Sequence, residues 1–140
     1  MTEKILVIED EVRIAQVLER GLIYEGYRVD VAYDGRTGLA LARDNPPDLV
    51  ILDWMLPGLT GREVCRQLRA KTNLAPLIFL TAKETLADTL ADLREGANDY
   101  IKKPFHFEEL LERIRVQLRP AGRPKEQFAV GSIVLDVATH

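Results

Sequence analysis

The chain has 140 residues, 46% hydrophobic and 29% charged, with a formal net charge of -3. One domain with a short appendage is the default at that length, and the charge balance excludes a general attraction to nucleic acid or anionic lipid. No apolar run approaches the roughly 20 residues needed to span a bilayer, and the single cysteine, Cys65, excludes an internal disulfide and suits a reducing compartment, so a cytoplasmic location with no membrane association is expected.

Met1-Thr2-Glu3-Lys4 leads into a short aliphatic run ended by acids, which is not the pattern of a signal peptide. That run, Ile5-Leu6-Val7-Ile8, stops at Glu9-Asp10-Glu11 and reads as a parallel strand buried on both faces. From Val12 to Glu25, Ile14, Leu18 and Leu22 keep helical spacing, and Gly26 is a natural stop. Tyr27 to Ala32 reads as a second strand with Val29 and Val31 on one side. Asp34-Gly35 is a turn and cap, Thr37 to Asp44 a second helix, and Asn45-Pro46-Pro47 its end. Leu49 to Leu52 is the third strand, running straight into Asp53 and then the turn Pro57-Gly58. Thr60 caps a third helix, with Glu63 at capping-box spacing and Val64 and Leu68 on one face. Pro76 opens a fourth strand, Leu77-Ile78-Phe79-Leu80, which ends at Thr81-Ala82. Leu86, Leu90 and Leu93 mark a fourth helix, ended by Gly96. Asp99-Tyr100-Ile101 is a short fifth strand closed by Lys102-Lys103-Pro104, and Phe107, Leu110, Leu111, Ile114 and Leu118 form an amphipathic fifth helix.

Strict alternation of five βα units over about residues 4–119 argues for a doubly wound α/β fold, a parallel sheet with helices on both faces. Right-handed crossovers leave few topologies, and the flavodoxin-like order 2-1-3-4-5 is the expected one. Residues 121–127 are linker-like, and 128–140 read as a β-hairpin tail around Gly131-Ser132, too small to be a domain by itself.

In that order the first and third strands are neighbours at the switch point where ligands bind. Glu9 and Asp10 end strand 1, Asp53 ends strand 3, and Thr81 and Lys103 end strands 4 and 5 on the same rim. Three close carboxylates repel, so either one stays protonated or a cation sits among them. Oxygen ligands with room for water favour Mg²⁺, and a carboxylate beside it can attack phosphorus to give an aspartyl phosphate. A lysine ammonium and a threonine hydroxyl answer the charge of the transferred group. Each residue alone has a bland alternative: a solvated acidic pair, a capping Asp53, a structural Thr81, a surface Lys103. Their joint placement at four strand ends is hard to explain by chance.

Ile8-Glu9-Asp10-Glu11, Leu52-Asp53-Trp54-Met55-Leu56-Pro57-Gly58, Leu80-Thr81-Ala82 and Asp99-Tyr100-Ile101-Lys102-Lys103-Pro104-Phe105 together resemble a receiver domain of a bacterial two-component response regulator. The resemblance covers residues 4–119 and implies a signalling switch rather than an enzyme. It implies that Asp53 takes a phosphoryl group from a sensor histidine kinase. It implies Mg²⁺ held by Asp10, Asp53 and the Met55 carbonyl, with Glu9 in support, and phosphoryl oxygens held by Thr81, Ala82 and Lys103. Glu9 stands where the family commonly has aspartate, which shifts one carboxylate by a methylene. It further implies a cis bond between Lys103 and Pro104, and a switch pair in which the Thr81 hydroxyl moves and the Tyr100 ring turns inward.

Asp99-Tyr100 and the following Lys-Pro-Phe look most like the OmpR/PhoB-type subfamily, winged-helix transcription regulators. Its receivers pair, when active, through the face of helix 4, strand 5 and helix 5. Asp99 and Arg113 match an intermolecular salt bridge of that homodimer, and Glu109 matches an acidic partner. Thr89 and Arg94 depart from the usual pattern, so a weaker or differently bridged dimer is expected. The hairpin at 128–140 resembles the opening of a winged-helix domain, so DNA would be read only by a domain that these residues begin.

Three rivals have discriminating features. An FMN-binding protein should carry a Ser/Thr/Gly loop where Glu9-Asp10-Glu11 stands, and an aspartyl-nucleophile phosphatase should have a second Asp where Met55 stands. A receiver-like module that takes no phosphate would not need Asp10, Asp53, Thr81 and Lys103 together. Cys65 is read as a packed thiol, His106 as the cap of helix 5, and Trp54 as a partly exposed residue at the site mouth.

Overall fold

Short aliphatic runs that alternate with amphipathic stretches can bury both faces of a sheet only if helices cover each side. The computed structural model, which describes residues 2–71, 75–82 and 96–119, has this arrangement. Its elements are β1 (Lys4–Ile8), α1 (Val12–Tyr24), β2 (Arg28–Ala32), α2 (Gly35–Asp44), β3 (Leu49–Asp53), α3 (Gly61–Ala70), β4 (Leu77–Ala82), β5 (Asp99–Lys103) and α4 (Phe107–Leu118). The strands are parallel and lie in the order β2-β1-β3-β4-β5, as the βα alternation predicts. The last helix is the fifth of the sequence reading. The expected fourth helix, with Thr89 and Arg94, lies outside the described residues, as do the linker 121–127 and the hairpin 128–140.

Strand alternation sorts the core into two layers. Leu6, Ile8, Val50, Leu52, Leu77 and Phe79 pack with Ala42 of α2 and Val64 and Leu68 of α3. Ile5, Val7, Leu49, Ile51, Ile78, Leu80 and Ile101 pack with Leu18 and Leu22 of α1 and Leu110, Leu111 and Ile114 of α4. Cys65 is a buried thiol in the first layer.

Several boundaries differ from the sequence reading for local reasons. Helix α2 starts at Gly35 rather than Thr37, because extended Asp34 accepts the Thr37 amide at 2.8 Å and so caps two residues earlier. Thr60 caps α3 as expected, its hydroxyl accepting the Glu63 amide at 3.2 Å. Gly26, at φ 99°, ends α1 in a conformation that favours glycine. Strand β5 continues through Lys103, one turn signal further than its apolar residues suggest. His106 does occupy the N-cap of α4, but its side chain makes no capping bond; its carbonyl accepts the amides of Glu109 at 3.0 Å and Leu110 at 3.3 Å.

At the amino-terminal edge of the sheet, Arg69 at the end of α3 donates to the carbonyls of Ala75 at 2.9 Å and Gly96 at 2.6 Å and to Asn98 Oδ1 at 3.1 Å. Asn98 in turn accepts the Leu77 amide on Oδ1 at 2.9 Å and donates its own amide to the Leu77 carbonyl at 2.9 Å. One guanidinium thus ties α3 to the entrances of both β4 and β5.

Candidate functional site

The register of the sheet decides which side chains meet. Ile5, Val7 and Glu9 share one face of β1; Leu49, Ile51 and Asp53 share the same face of β3; Ile101 and Lys103 continue it on β5. At the carboxyl rim the apolar residues give way to Glu9, Asp53 and Lys103, and the three side chains converge. The Lys103 ammonium lies 3.0 Å from Glu9 Oε1 and 3.3 Å from Asp53 Oδ1. Met55 donates its amide to Asp53 Oδ1 at 3.3 Å, and Glu11 donates its amide to Glu9 Oε2 at 3.0 Å. Asp10 stands beside them, exposed. The Lys103–Pro104 peptide, which starts the loop into α4, is cis.

Glu9 is fully buried and Asp53 is 4% exposed, so both carboxyls have lost most of their water. Burial, and then the neighbouring Glu9 carboxylate, push the Asp53 carboxyl up to about 7, against the Lys103 ammonium and the Met55 amide that pull it down. Burial works to lower the Lys103 ammonium, but Asp53 and then Glu9 outweigh it and hold Lys103 above its ordinary value. Two carboxyls therefore share one resident cation, and the balance still favours a further positive charge.

The donor set fits such a charge. Oxygens of Glu9, Asp10 and Asp53 can all come within 4.8 Å of one another. Glu9 Oε1 is buried and accepts no directed hydrogen bond among the described residues; the Lys103 ammonium meets it at 3.0 Å as an ion pair. These hard oxygens open onto a cleft of about 430 Å³ lined by Glu9, Asp10, Glu11, Asp53, Met55, Ala82 and Lys103. Carboxylates with room for water suit Mg²⁺.

Of the residues picked from the sequence, Glu9, Asp10, Asp53, Met55, Ala82 and Lys103 meet at this cleft. Thr81 does not line it. It is fully buried, follows Leu77 and Phe79 on the opposite face of β4, and donates its hydroxyl to the Ala82 carbonyl at 3.2 Å. Tyr100, half-buried, packs on that opposite layer too and is the register partner of Phe79. Trp54 is half-buried rather than set in the cleft wall, its ring edge-on to Phe79. Glu11, not picked from the sequence as a site residue, lines the cleft and holds Glu9 in place. Only its spacing two residues after Glu9 could have signalled that role, and an amide bond carries no side-chain signature.

Asp99, Glu109 and Arg113 form a separate cluster. Arg113 Nη1 donates to both Asp99 oxygens at 2.9 and 3.0 Å, and Nη2 reaches Glu109 at 3.4 Å. The pair expected between two chains is thus closed within one. Burial tends to lower the Arg113 guanidinium, but Asp99 and then Glu109 raise it overall.

Residues 5–115 match the response regulator receiver domain family. The chain is 49% identical over 124 residues to the uncharacterized transcriptional regulatory protein YkoG of Bacillus subtilis, covering 89% of this chain and 54% of that protein. It is 46% identical to the response regulator ArlR of Staphylococcus saprophyticus, covering 95% and 60%, and 41% identical to the DNA-binding response regulator MtrA of Mycolicibacterium smegmatis, covering 100% and 61%. The chain thus spans little more than half the length of these relatives, which are named as a transcriptional regulatory protein, a response regulator and a DNA-binding response regulator. Among solved structures, a Francisella response regulator receiver domain superposes with a TM-score of 0.78 at 32% identity, covering 84% of this chain and 97% of that one. A CheY-like receiver domain protein from Methanospirillum hungatei gives 0.80 at 28% identity, covering 94% and 100%. Sheet order, the rim of carboxylates and these likenesses agree: the chain belongs to the response regulator receiver domain family, the signalling modules of two-component systems.

Proposed function

We propose that the domain is a phosphoacceptor switch in which Asp53 receives a phosphoryl group from the phosphohistidine of a sensor kinase. An Asp53 oxygen attacks phosphorus, the new P–O bond forms an acyl phosphate, and the P–N bond breaks with its electron pair returning to the imidazole. The observation that carries the reading is the meeting of buried Asp53 with Glu9, Asp10 and Lys103 at one rim. Glu9, Asp10, Asp53 and the Met55 carbonyl would hold Mg²⁺, which supplies charge neutralisation for the incoming phosphoryl group. The Lys103 ammonium and, after a rearrangement, the Thr81 hydroxyl and the Ala82 amide receive its oxygens. Their attraction to the new charge of about -1.5 to -2 shifts an existing equilibrium towards the active form. The chain does no chemistry on an outside substrate; it catalyses its own modification and its loss.

On this reading Tyr100 follows Thr81 inward, and a face that includes β5 and α4 pairs two active copies through Asp99, Glu109 and Arg113. Residues 1–120 are the receiver, 121–127 a linker, and 128–140 the opening of a winged-helix domain through which a longer chain would bind DNA. The reading is tested by incubation with Mg²⁺ and a small acyl phosphate, followed by intact mass. One phosphoryl adduct is expected on the parent and none on Asp53→Asn. Equal labelling of the two removes Asp53 from the role.

A further inference from the structure

We infer that Trp54 and Phe79 are positioning residues that connect the backbone carrying Asp53 to the Tyr100 ring. The inference rests on the phosphoacceptor reading above and names how that site is read out.

Trp54 follows Asp53 directly and is pinned at both ends of its peptide. Its amide donates to the Leu80 carbonyl of β4 at 2.9 Å, and its carbonyl accepts the Gly61 amide of α3 at 3.1 Å. Gly61 permits that approach, since a Cβ there would collide with the Asp53 carbonyl oxygen and crowd the Trp54 backbone. Trp54 shares a peptide bond with Asp53, so a displacement of the Asp53 backbone acts on Trp54 and through these two hydrogen bonds on β4 and α3. The indole meets Phe79 edge to face, ring centroids 5.1 Å apart and planes at 76°. Phe79 is fully buried, and its register partner one strand over is Tyr100. Trp54, Phe79 and Tyr100 all belong to the layer shared with α2 and α3, on the opposite face of the sheet from the acidic cleft. Thr81 lies two residues after Phe79 on the same face.

Trp54 and Phe79 are thus in ring contact, and the Phe79 and Tyr100 side chains stand on the same face of neighbouring strands about 4.8 Å apart. Edge-to-face contact has an angular preference that an aliphatic contact lacks, so Phe79 follows Trp54 in orientation as well as in position. A close-packed interior gives Phe79 no slack to absorb the movement. The pose of Phe79 sets the space into which the Tyr100 ring can turn.

The test uses the whole chain labelled with 3-fluorotyrosine, its Tyr100 resonance identified by Tyr100→Phe among the four tyrosines. Mg²⁺ and beryllofluoride are added, and one fluorine spectrum reports both site occupancy, from bound fluoride, and the state of Tyr100. Trp54→Leu and Phe79→Leu should keep bound fluoride at an affinity within about threefold of the parent, below the roughly fivefold or larger effects of site-to-site coupling. Their Tyr100 shift on binding should fall by about half or more, the double variant should lose no more than the worse single one, and Trp54→Phe should recover most of it. A full Tyr100 shift in fluoride-bound Trp54→Leu overturns the relay and leaves the acceptor reading standing. Additive losses in the double variant overturn the serial order. Loss of bound fluoride in both Trp54→Leu and Trp54→Phe overturns it too, because Trp54 then belongs to the site itself. An unresponsive parent overturns the acceptor reading and the relay together.

Discussion

Asp53 is a carboxyl group held in a place that discourages its charge. Burial and Glu9 raise its carboxyl to about 7 from an ordinary value of 3.8. Because the folded value lies above the unfolded one, the unfolded chain ionises first as pH rises. In chelator, the protein should therefore lose stability between about pH 4 and about pH 7 and level off above, and Asp53→Asn should remove this slope and be the more stable protein at neutral pH. Urea unfolding of both proteins at about pH 5 and about pH 7.5 measures the difference; parallel slopes would contradict it. At this scale much was legible in the sequence. Glu9, Asp10, Asp53 and Lys103 stand at strand ends, where an apolar run stops at a charge, and strand order alone brings them together. The burial of Thr81 behind β4 was not legible, because alternation within a strand shows its two sides but not which layer each side meets. Nor was the direct pairing of Glu9 with Lys103, which needs the extra methylene of a glutamate and a rotamer to use it.

Elements were legible wherever periodicity was reinforced by a terminal signal. Strands β1, β3 and β4 appear as uninterrupted apolar runs because both their faces are buried, and α3 announces itself by Thr60 and Glu63. Boundaries failed where a side chain caps earlier than the apolar pattern begins, as at Asp34, or where a strand outlasts its apolar residues, as at Lys103. The tight seat of α3 under the end of β3 has no sequence signature except a glycine. Alanine at position 61 gains helix propensity, up to about 1 kcal/mol over glycine, but its Cβ would meet the Asp53 carbonyl, which belongs to backbone and cannot rotate away. Crowding of this kind costs about 1–3 kcal/mol. Gly61→Ala should be less stable than the parent in urea titration and should accept phosphoryl more slowly, because the backbone that aims Asp53 has moved. An unchanged unfolding midpoint would show that α3 can shift freely.

At the scale of the molecule, the alternation of βα units was enough to give the strand order, since handedness and packing leave so few arrangements. What it could not give was the state of the face beyond β5. Arg113 is closed on Asp99 and Glu109 within one chain, so any pairing of active copies through these residues must exchange partners rather than recruit free charges. Asp99→Arg sets two cations against each other in either arrangement and should weaken the activated dimer by about tenfold or more, read by sedimentation with beryllofluoride. An association constant equal to the parent's would remove Asp99 from the interface. Arg69, meanwhile, grips the starts of β4 and β5 at the far edge from the acidic cleft. One side chain thus acts as a rivet through three elements, fixing α3 and the entrances of β4 and β5 to each other at the end of the sheet opposite the acidic cleft, so that anchor and cleft are kept apart by the length of a strand.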